Sequence, residues 1–195
     1  MVRDALNNPD PPMHRSAVLH LLHAHAACAL EPHETAMTAA TIRFVDGQPA
    51  CLLRSCVPGH LTGSAWIVDA ARTRTLLTHH RKLDKWLQLG GHADGDPDLR
   101  AVALREAREE SGLTRLRVVG AGIFDVDRHE IPERGTEPAH RHYDLRFIIE
   151  ADPAEPLRVT RESKELAWVR IADVVTLNPE ESMARMVRKT LAAGG

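Results

Sequence analysis

The stretch from Asp96 to Leu113 does most to limit what this chain can fold into, because it marks both ends of a helix and then gives one helix face two characters. Asp96 is a good N-cap, Pro97 suits a first helical position and Gly112 is a good C-terminal stop. Between them, Leu99, Val102 and Ala103 share a stripe with Glu106, Glu109 and Glu110 by the i, i+3, i+4 spacing of helical neighbours. The apolar start of the stripe predicts packing on a sheet. Its acidic end then emerges where the sheet stops, in a cleft. Like charges at this spacing cost on the order of 0.2–0.5 kcal/mol per pair, and carboxylates near a helix C-terminus oppose its dipole. A bound divalent cation reverses both penalties, and oxygen-only ligands suit Mg²⁺ or Mn²⁺. Taken alone, the three glutamates are better explained as a solvated acidic face paired with Arg105 and Arg108. Their surroundings argue otherwise.

Gly90-Gly91-His92-Ala93-Asp94-Gly95 stands just before the helix, and Arg105-Glu106-x-x-Glu109-Glu110-x-Gly112-Leu113 closes it. Together they resemble the Nudix box, G-x5-E-x7-R-E-U-x-E-E-x-G-U with U aliphatic, whose first glycine falls on Gly91. The flanking strands and the strand of Trp168 also look like the family, extending the resemblance over residues 60–175. The first glutamate of the box falls on Pro97, with Asp96 and Asp98 on either side as stand-ins. Leu89 replaces a proline common before the double glycine, and Ala107 is smaller than the usual aliphatic residue. None of these departures touches the acidic triad.

The resemblance implies an α/β chain, a Nudix-type α/β/α sandwich with a mixed sheet, that hydrolyses a phosphoanhydride. It also implies that Glu106, Glu109, Glu110 and the Gly91 carbonyl bind one or more Mg²⁺ or Mn²⁺ ions. Such ions screen the phosphates, lower the pKa of bound water and orient the in-line attack. Arg105 would orient the glutamates; its plainer role is an i, i+4 bridge to Glu109. The general base stays open. Glu162 and Glu165, before Trp168, are the best distant candidates, Glu133 and Glu137 weaker ones, and a box glutamate, Glu109, the alternative. An isomerase of the isopentenyl-diphosphate type shares the fold, but Leu89-Gly90-Gly91-His92 lacks the cysteine that family carries there. A non-catalytic ligand-sensing protein on the same fold would be expected to have lost box glutamates.

The rest of the chain divides at Pro58-Gly59 into a helical extension, residues 1–57, and the catalytic domain, residues 58–195. Apolar spacing predicts helices from Met13 to about Leu30 and from about His33 to Val45. Strands are expected at Ser64–Asp69, Arg74–His80, Leu116–Val119, Gly122–Phe124, Arg141–Ile149 and Glu165–Arg170, with a loop from Arg128 to Ala139. In the Arg141–Ile149 strand, Tyr143, Leu145, Phe147 and Ile149 alternate with His142, Asp144 and Arg146. A last helix starts at Asn178-Pro179-Glu180-Glu181.

Substrate-binding candidates are Arg81 and Lys82 near the glycines, His92 within the box, and His142, Asp144 and Arg146 on one strand face. Each has a plain alternative as a solvated loop or a covered polar face. His20, His23 and His25 read as a polar stripe, and Trp66, Trp86 and Trp168 as core or loop anchors. A formal net charge of −2 gives no bulk attraction to nucleic acid or membrane. Three cysteines without a C-x-x-C spacing, and a polar start unlike a signal peptide, predict a reducing, cytoplasmic setting. The expected partners are a small-molecule diphosphate and, in quaternary structure, at most a second copy in a homodimer. Neither nucleic acid nor membrane is expected.

Overall fold

The structure, a computed structural model, describes residues 13–133, 135 and 138–193. Two helices, α1 (Met13–Ala26) and α2 (Pro32–Gly47), precede the sheet. The strands are β1 (His60–Val68), β2 (Arg74–His80), β3 (Lys85–Leu87), β4 (Leu89–His92), β5 (Arg117–Val118), β6 (Asp125–Ile131), β7 (His140–Glu150) and β8 (Ser163–Arg170). Helix α3 (Leu99–Ser111) lies between β4 and β5; α4 (Val174–Leu177) and α5 (Glu181–Ala192) close the chain. The sheet is mixed. Its centre is a parallel pair, β1 with β7, in register from His60 beside His142 to Val68 beside Glu150. The other pairings, β1 with β2 and β4, β2 with β3 and β8, and β7 with β5 and β6, are antiparallel.

Period-two alternation sorts the sheet into two faces. Leu61, Ala65 and Ile67 of β1 and Tyr143, Leu145, Phe147 and Ile149 of β7 join one core with Leu99, Ala103 and Ala107 of α3. Val18 and Leu22 of α1 and Phe44 and Val45 of α2 enter the same core, where Phe44 stacks on Tyr143 with ring centroids 3.9 Å apart. On the other face, Trp66, Val68 and Ile148 pack against Met183, Met186 and Val187 of α5. Helices thus cover both faces, the expected α/β/α sandwich. The alternation read from His142 to Ile149 is the one observed.

Several local expectations need correction. Helix α3 begins at Leu99, not Pro97: Asp98 caps it by accepting from the N–H groups of Arg100 and Ala101, while Asp96 accepts from the N–H of Asp98 and makes the turn before it. Gly90-Gly91 is not loop but part of β4, paired with Ser64 and Gly63 of β1. A Cβ on Gly90 would lie 2.2 Å from Ser64 Oγ, so this pairing needs glycine. The strand sought at Gly122–Phe124 starts instead at Asp125 and runs through Arg128 to Ile131, because β7 continues to offer it partners as far as His140. The last strand starts two residues before the expected Glu165, at Ser163, and Glu165 lies opposite His79. Helix α5 starts at Glu181, with Asn178 Oδ1 accepting from the Glu180 N–H ahead of it. Of the polar stripe, His20 and His23 are exposed but His25 is not. It is buried against Glu34 of α2, whose carboxylate also receives the Lys189 ammonium from α5. Arg188 of α5 forks onto Glu31, so ion pairs tie the first two helices to the last.

Candidate active site

Helix α3 sits directly on β1 because Gly63 lets it. A Cβ there would stand 2.5 Å from the Leu99 carbonyl oxygen and 3.1 Å from Val102 Cβ. Gly112, in the left-handed region at φ 75°, ends the helix. This close seat brings the last two turns of α3 to the β4 strand. Gly91 meets the Glu106 carboxylate, and a Cβ on it would lie 2.4 Å from Glu106 Cδ. The Arg105 guanidinium donates to Glu106 Oε1 at 2.8 Å and to the His92 carbonyl at 3.1 Å, so it ties the acidic helix to β4 rather than bridging to Glu109. Asp96 and Asp98, the stand-ins for the missing box glutamate, are both engaged by backbone N–H groups.

Glu110 carries the electrostatic tension of the site. Burial pushes its carboxyl up to about 8, the charges of Glu106 and Glu162 push the same way, and an N–H from Gly90 offsets only part. Its Oε2 is buried with no hydrogen-bond partner among the described residues. A buried carboxylate oxygen without a donor costs on the order of 1–3 kcal/mol, and a cation is the natural remedy. Glu109 is exposed beside it. The donor set, three carboxylates and the adjoining Gly91 backbone, consists of hard oxygens and fits Mg²⁺ or Mn²⁺.

The distant base candidates separate. Glu162 is exposed and close enough to bear on both Glu110 and Arg54. Arg81 holds the segment that carries it: its backbone N–H donates to the Glu162 carbonyl and its guanidinium to the carbonyls of Arg161 and Ser163. Glu165 and Glu133 are exposed, and Glu137 lies outside the described residues. Lys82 is exposed in the turn after β2. Arg54, which forks onto Asp94 at 2.6 and 2.7 Å, is a cation beside the acidic site that no sequence motif had marked.

His142, Asp144 and Arg146 share a face of β7 but not a fate. Asp144 and Arg146 are buried in a charge network. Arg146 donates to Asp144, Asp125 and Asp127, Arg185 of α5 forks onto Asp125, and Thr62, Ser64 and Gln88 donate to Asp144. With its donors and acceptors so engaged, the pair braces the sheet beneath the cleft. His142 and His92 instead belong to a histidine cluster with His60, His129 and His140. Burial, then nearby positive groups, holds His92 down at about 4 and His142 at about 2. His60 and His140 were not singled out from sequence, although the His140-x-His142 spacing puts both on one strand face. Trp66 is buried and donates to Thr190 of α5, and Trp86 stacks on His79.

A model of the NUDIX domain matches residues 60–190. No curated protein sequence matches the chain. Among solved structures, a C. elegans Ap4A hydrolase in a binary complex superposes with a TM-score of 0.55 at 17% identity, over 68% of this chain and 96% of that one. The E. coli dihydroneopterin triphosphate pyrophosphohydrolase gives 0.53 at 16% identity, over 68% and 95%. The M. smegmatis Nudix hydrolase RenU gives 0.51 at 19%, over 69% and 84%. At such identities the likeness is one of fold.

Proposed function

The chain belongs to the NUDIX family and is a Nudix hydrolase, and from that premise we propose that it cleaves the phosphoanhydride of a nucleoside diphosphate linked to another moiety, or of a related diphosphate. The observation that carries this reading is the buried, undonated Oε2 of Glu110 beside Glu106 at the end of α3. Glu106, Glu109, Glu110 and the Gly91 carbonyl would hold Mg²⁺ or Mn²⁺, which supplies charge neutralisation and a more acidic water.

The chain's own groups do the rest. Arg105 fixes the Glu106 carboxylate and the β4 backbone relative to each other. Glu162, on the segment clamped by Arg81, takes the proton of the attacking water; Glu165 is the next candidate and Glu109 the alternative within the helix. Lys82 and Arg81 border the approach for an anionic substrate, and His92 and His142 meet it from the other face of the sheet, which Asp144 and Arg146 brace. In this reading residues 58–195 are the catalytic domain and residues 1–57 an extension, whose helices α1 and α2 buttress the sheet. No helix among the described residues is long and apolar enough to cross a membrane. A cytoplasmic setting accords with Cys28, Cys51 and Cys56 all being free thiols.

The test is a hydrolysis screen with Mg²⁺ and with Mn²⁺ over nucleotide sugars, ADP-ribose, dinucleoside polyphosphates and nucleoside triphosphates. Turnover of at least one class should vanish in chelator and return with metal. Full activity in chelator would refute the metal-assisted reading.

A further inference from the structure

Five imidazoles converge at one end of the central strands, and the strand register puts them there. His60 opens β1 directly beside His142 in the parallel pair, His129 of β6 lies opposite His142, and His92 closes β4 opposite Thr62. His140 precedes His142 by two residues on the same face of β7. The glutamates approach from α3, on the side that Gly91 presents to Glu106. The histidines lie on the opposite face, the one that carries Thr62, Ser64 and Asp144.

The nitrogen positions are unusual for rings that only hydrogen-bond to one another. His142 Nε2 lies 3.3 Å from His92 Nε2 and also 3.3 Å from His140 Nε2. A ring nitrogen has one hydrogen or one lone pair to offer, so His142 Nε2 cannot serve both neighbours well. The tautomer of His140 can be assigned. Its Nδ1 is 2.9 Å from the Pro138 carbonyl, which can only accept, so Nδ1 carries the hydrogen and Nε2 is the nitrogen turned toward the cluster. Metal-ligating histidines are commonly fixed in this way, with the far N–H bound to a backbone carbonyl. The spacing fits as well. Zn–N bonds of about 2.0–2.1 Å in a tetrahedron place the nitrogens about 3.3 Å apart, which is the separation found between His142 and His140. His60, His140 and His142 each offer a ring nitrogen, all within 4.8 Å of one another, and rotation of the His60 ring can shorten the longer edges.

We propose that His60, His140 and His142 form a nitrogen-only site for a borderline divalent ion, Zn²⁺ first, with His92 at its edge beside His142, separate from the oxygen-only site of Glu106, Glu109 and Glu110. Imidazole suits Zn²⁺ and its first-row neighbours, whereas Mg²⁺ selects oxygen. The ion would pin the ends of β1 and β7 together on the face of the sheet away from the acidic helix. The site rests on the geometry of the histidines and not on the hydrolase reading.

The experiment uses the untagged full chain, stripped of metal and titrated with Co²⁺. At one equivalent the visible absorption of a low-coordinate nitrogen site should appear, and Zn²⁺ should displace it. His140→Gln and His142→Gln should each weaken Zn²⁺ binding by roughly a hundredfold. Glu109→Gln and Glu110→Gln, on the other face, should leave it nearly unchanged, as should His20→Gln with His23→Gln in α1. The parent protein is read first, so misfolding of a variant cannot conceal the answer. No band at one equivalent in the parent overturns the proposal. So does binding that follows the glutamate variants instead of the histidine variants. Neither outcome depends on turnover, so each is distinguishable from failure of the hydrolase reading.

Discussion

Replacing Glu110 by Gln should make the metal-free protein more stable while removing most of its activity. The Glu110 carboxyl is raised by burial, and then by Glu106 and Glu162, from 4.5 to about 8. A carboxyl raised on folding contributes stability that is fully present below pH 4.5 and is lost as pH rises toward 8. At pH 7, below the folded value, the carboxyl folds largely protonated, and taking up that proton about 2.5 pH units above its ordinary 4.5 costs up to roughly 3 kcal/mol at about 1.36 kcal/mol per unit. Water entry and side-chain motion reduce this, so the gain from Gln should be about 1–3 kcal/mol, or several degrees in Tm. The assay is thermal melting of parent and Glu110→Gln in chelator from pH 5 to pH 8, repeated with Mg²⁺. The stability gap should widen as pH rises, and Mg²⁺ should raise the parent Tm more than the variant's. Under saturating Mg²⁺ the variant's kcat should fall by at least about a hundredfold, about 2.7 kcal/mol of transition-state stabilisation. A variant less stable than the parent in chelator at pH 7, or a gap indifferent to pH, would refute the reasoning.

Gly91→Ala should fold, since β4 tolerates a side chain in principle, but its Cβ would stand 2.4 Å from Glu106 Cδ and displace the carboxylate; kcat should drop roughly a hundredfold with circular dichroism unchanged, and an active variant would mean that Glu106 need not touch β4. Glu162→Gln should lower kcat and move the acid limb of the kcat–pH profile with little change in KM, whereas Glu165→Gln and Glu133→Gln should keep the parental profile; parental behaviour in all three would return the base to Glu109. Glu34→Gln should cost about 1–3 kcal/mol in urea melts at pH 7, because it removes the buried negative charge shared by His25 and Lys189 while Lys189 keeps Asp125 at 3.5 Å. Burial alone would raise the Glu34 carboxyl, but the hydrogen bonds from His25 and Lys189 hold it well below its ordinary value. Its contribution is therefore present above pH 4.5 and lost as pH falls below that, so the gap between parent and variant should close in acid.

The parts of the molecule that were readable in advance are those whose physics is local. The α3 stripe announces both its sheet contact and its acidic end, because Leu99, Val102, Ala103, Glu106, Glu109 and Glu110 are helical neighbours whatever surrounds them. The β7 alternation, from His142 to Ile149, is equally self-contained. What stayed hidden depends on partners far along the chain. Gly90-Gly91 looks like a loop until β1 pairs with it. Arg128–Ile131 looks like charged loop until β7 holds it. Asp144 and Arg146 resemble a cleft face until Asp125, Asp127 and Arg185, from two other elements, close around them. The histidine cluster is hidden for the same reason: His60, His92, His129 and His142 come from four separate strands.

The parallel register of β1 and β7 also governs which changes of chain length the protein can absorb. Sliding β7 by one residue against β1 would turn Asp144 and Arg146 toward Leu99 and Ala103, and Leu145 and Phe147 toward Asp125 and Arg185. Buried charges would then meet hydrocarbon on one side while their former counterions stood unpaired on the other. A single inserted or deleted codon within residues 60–68 or 140–150 should therefore be far more damaging than a point substitution at the same place. Homologous chains should differ in length almost entirely in the segments between strands, and a deletion scan would trace the two central strands as intolerant blocks without any knowledge of the reaction.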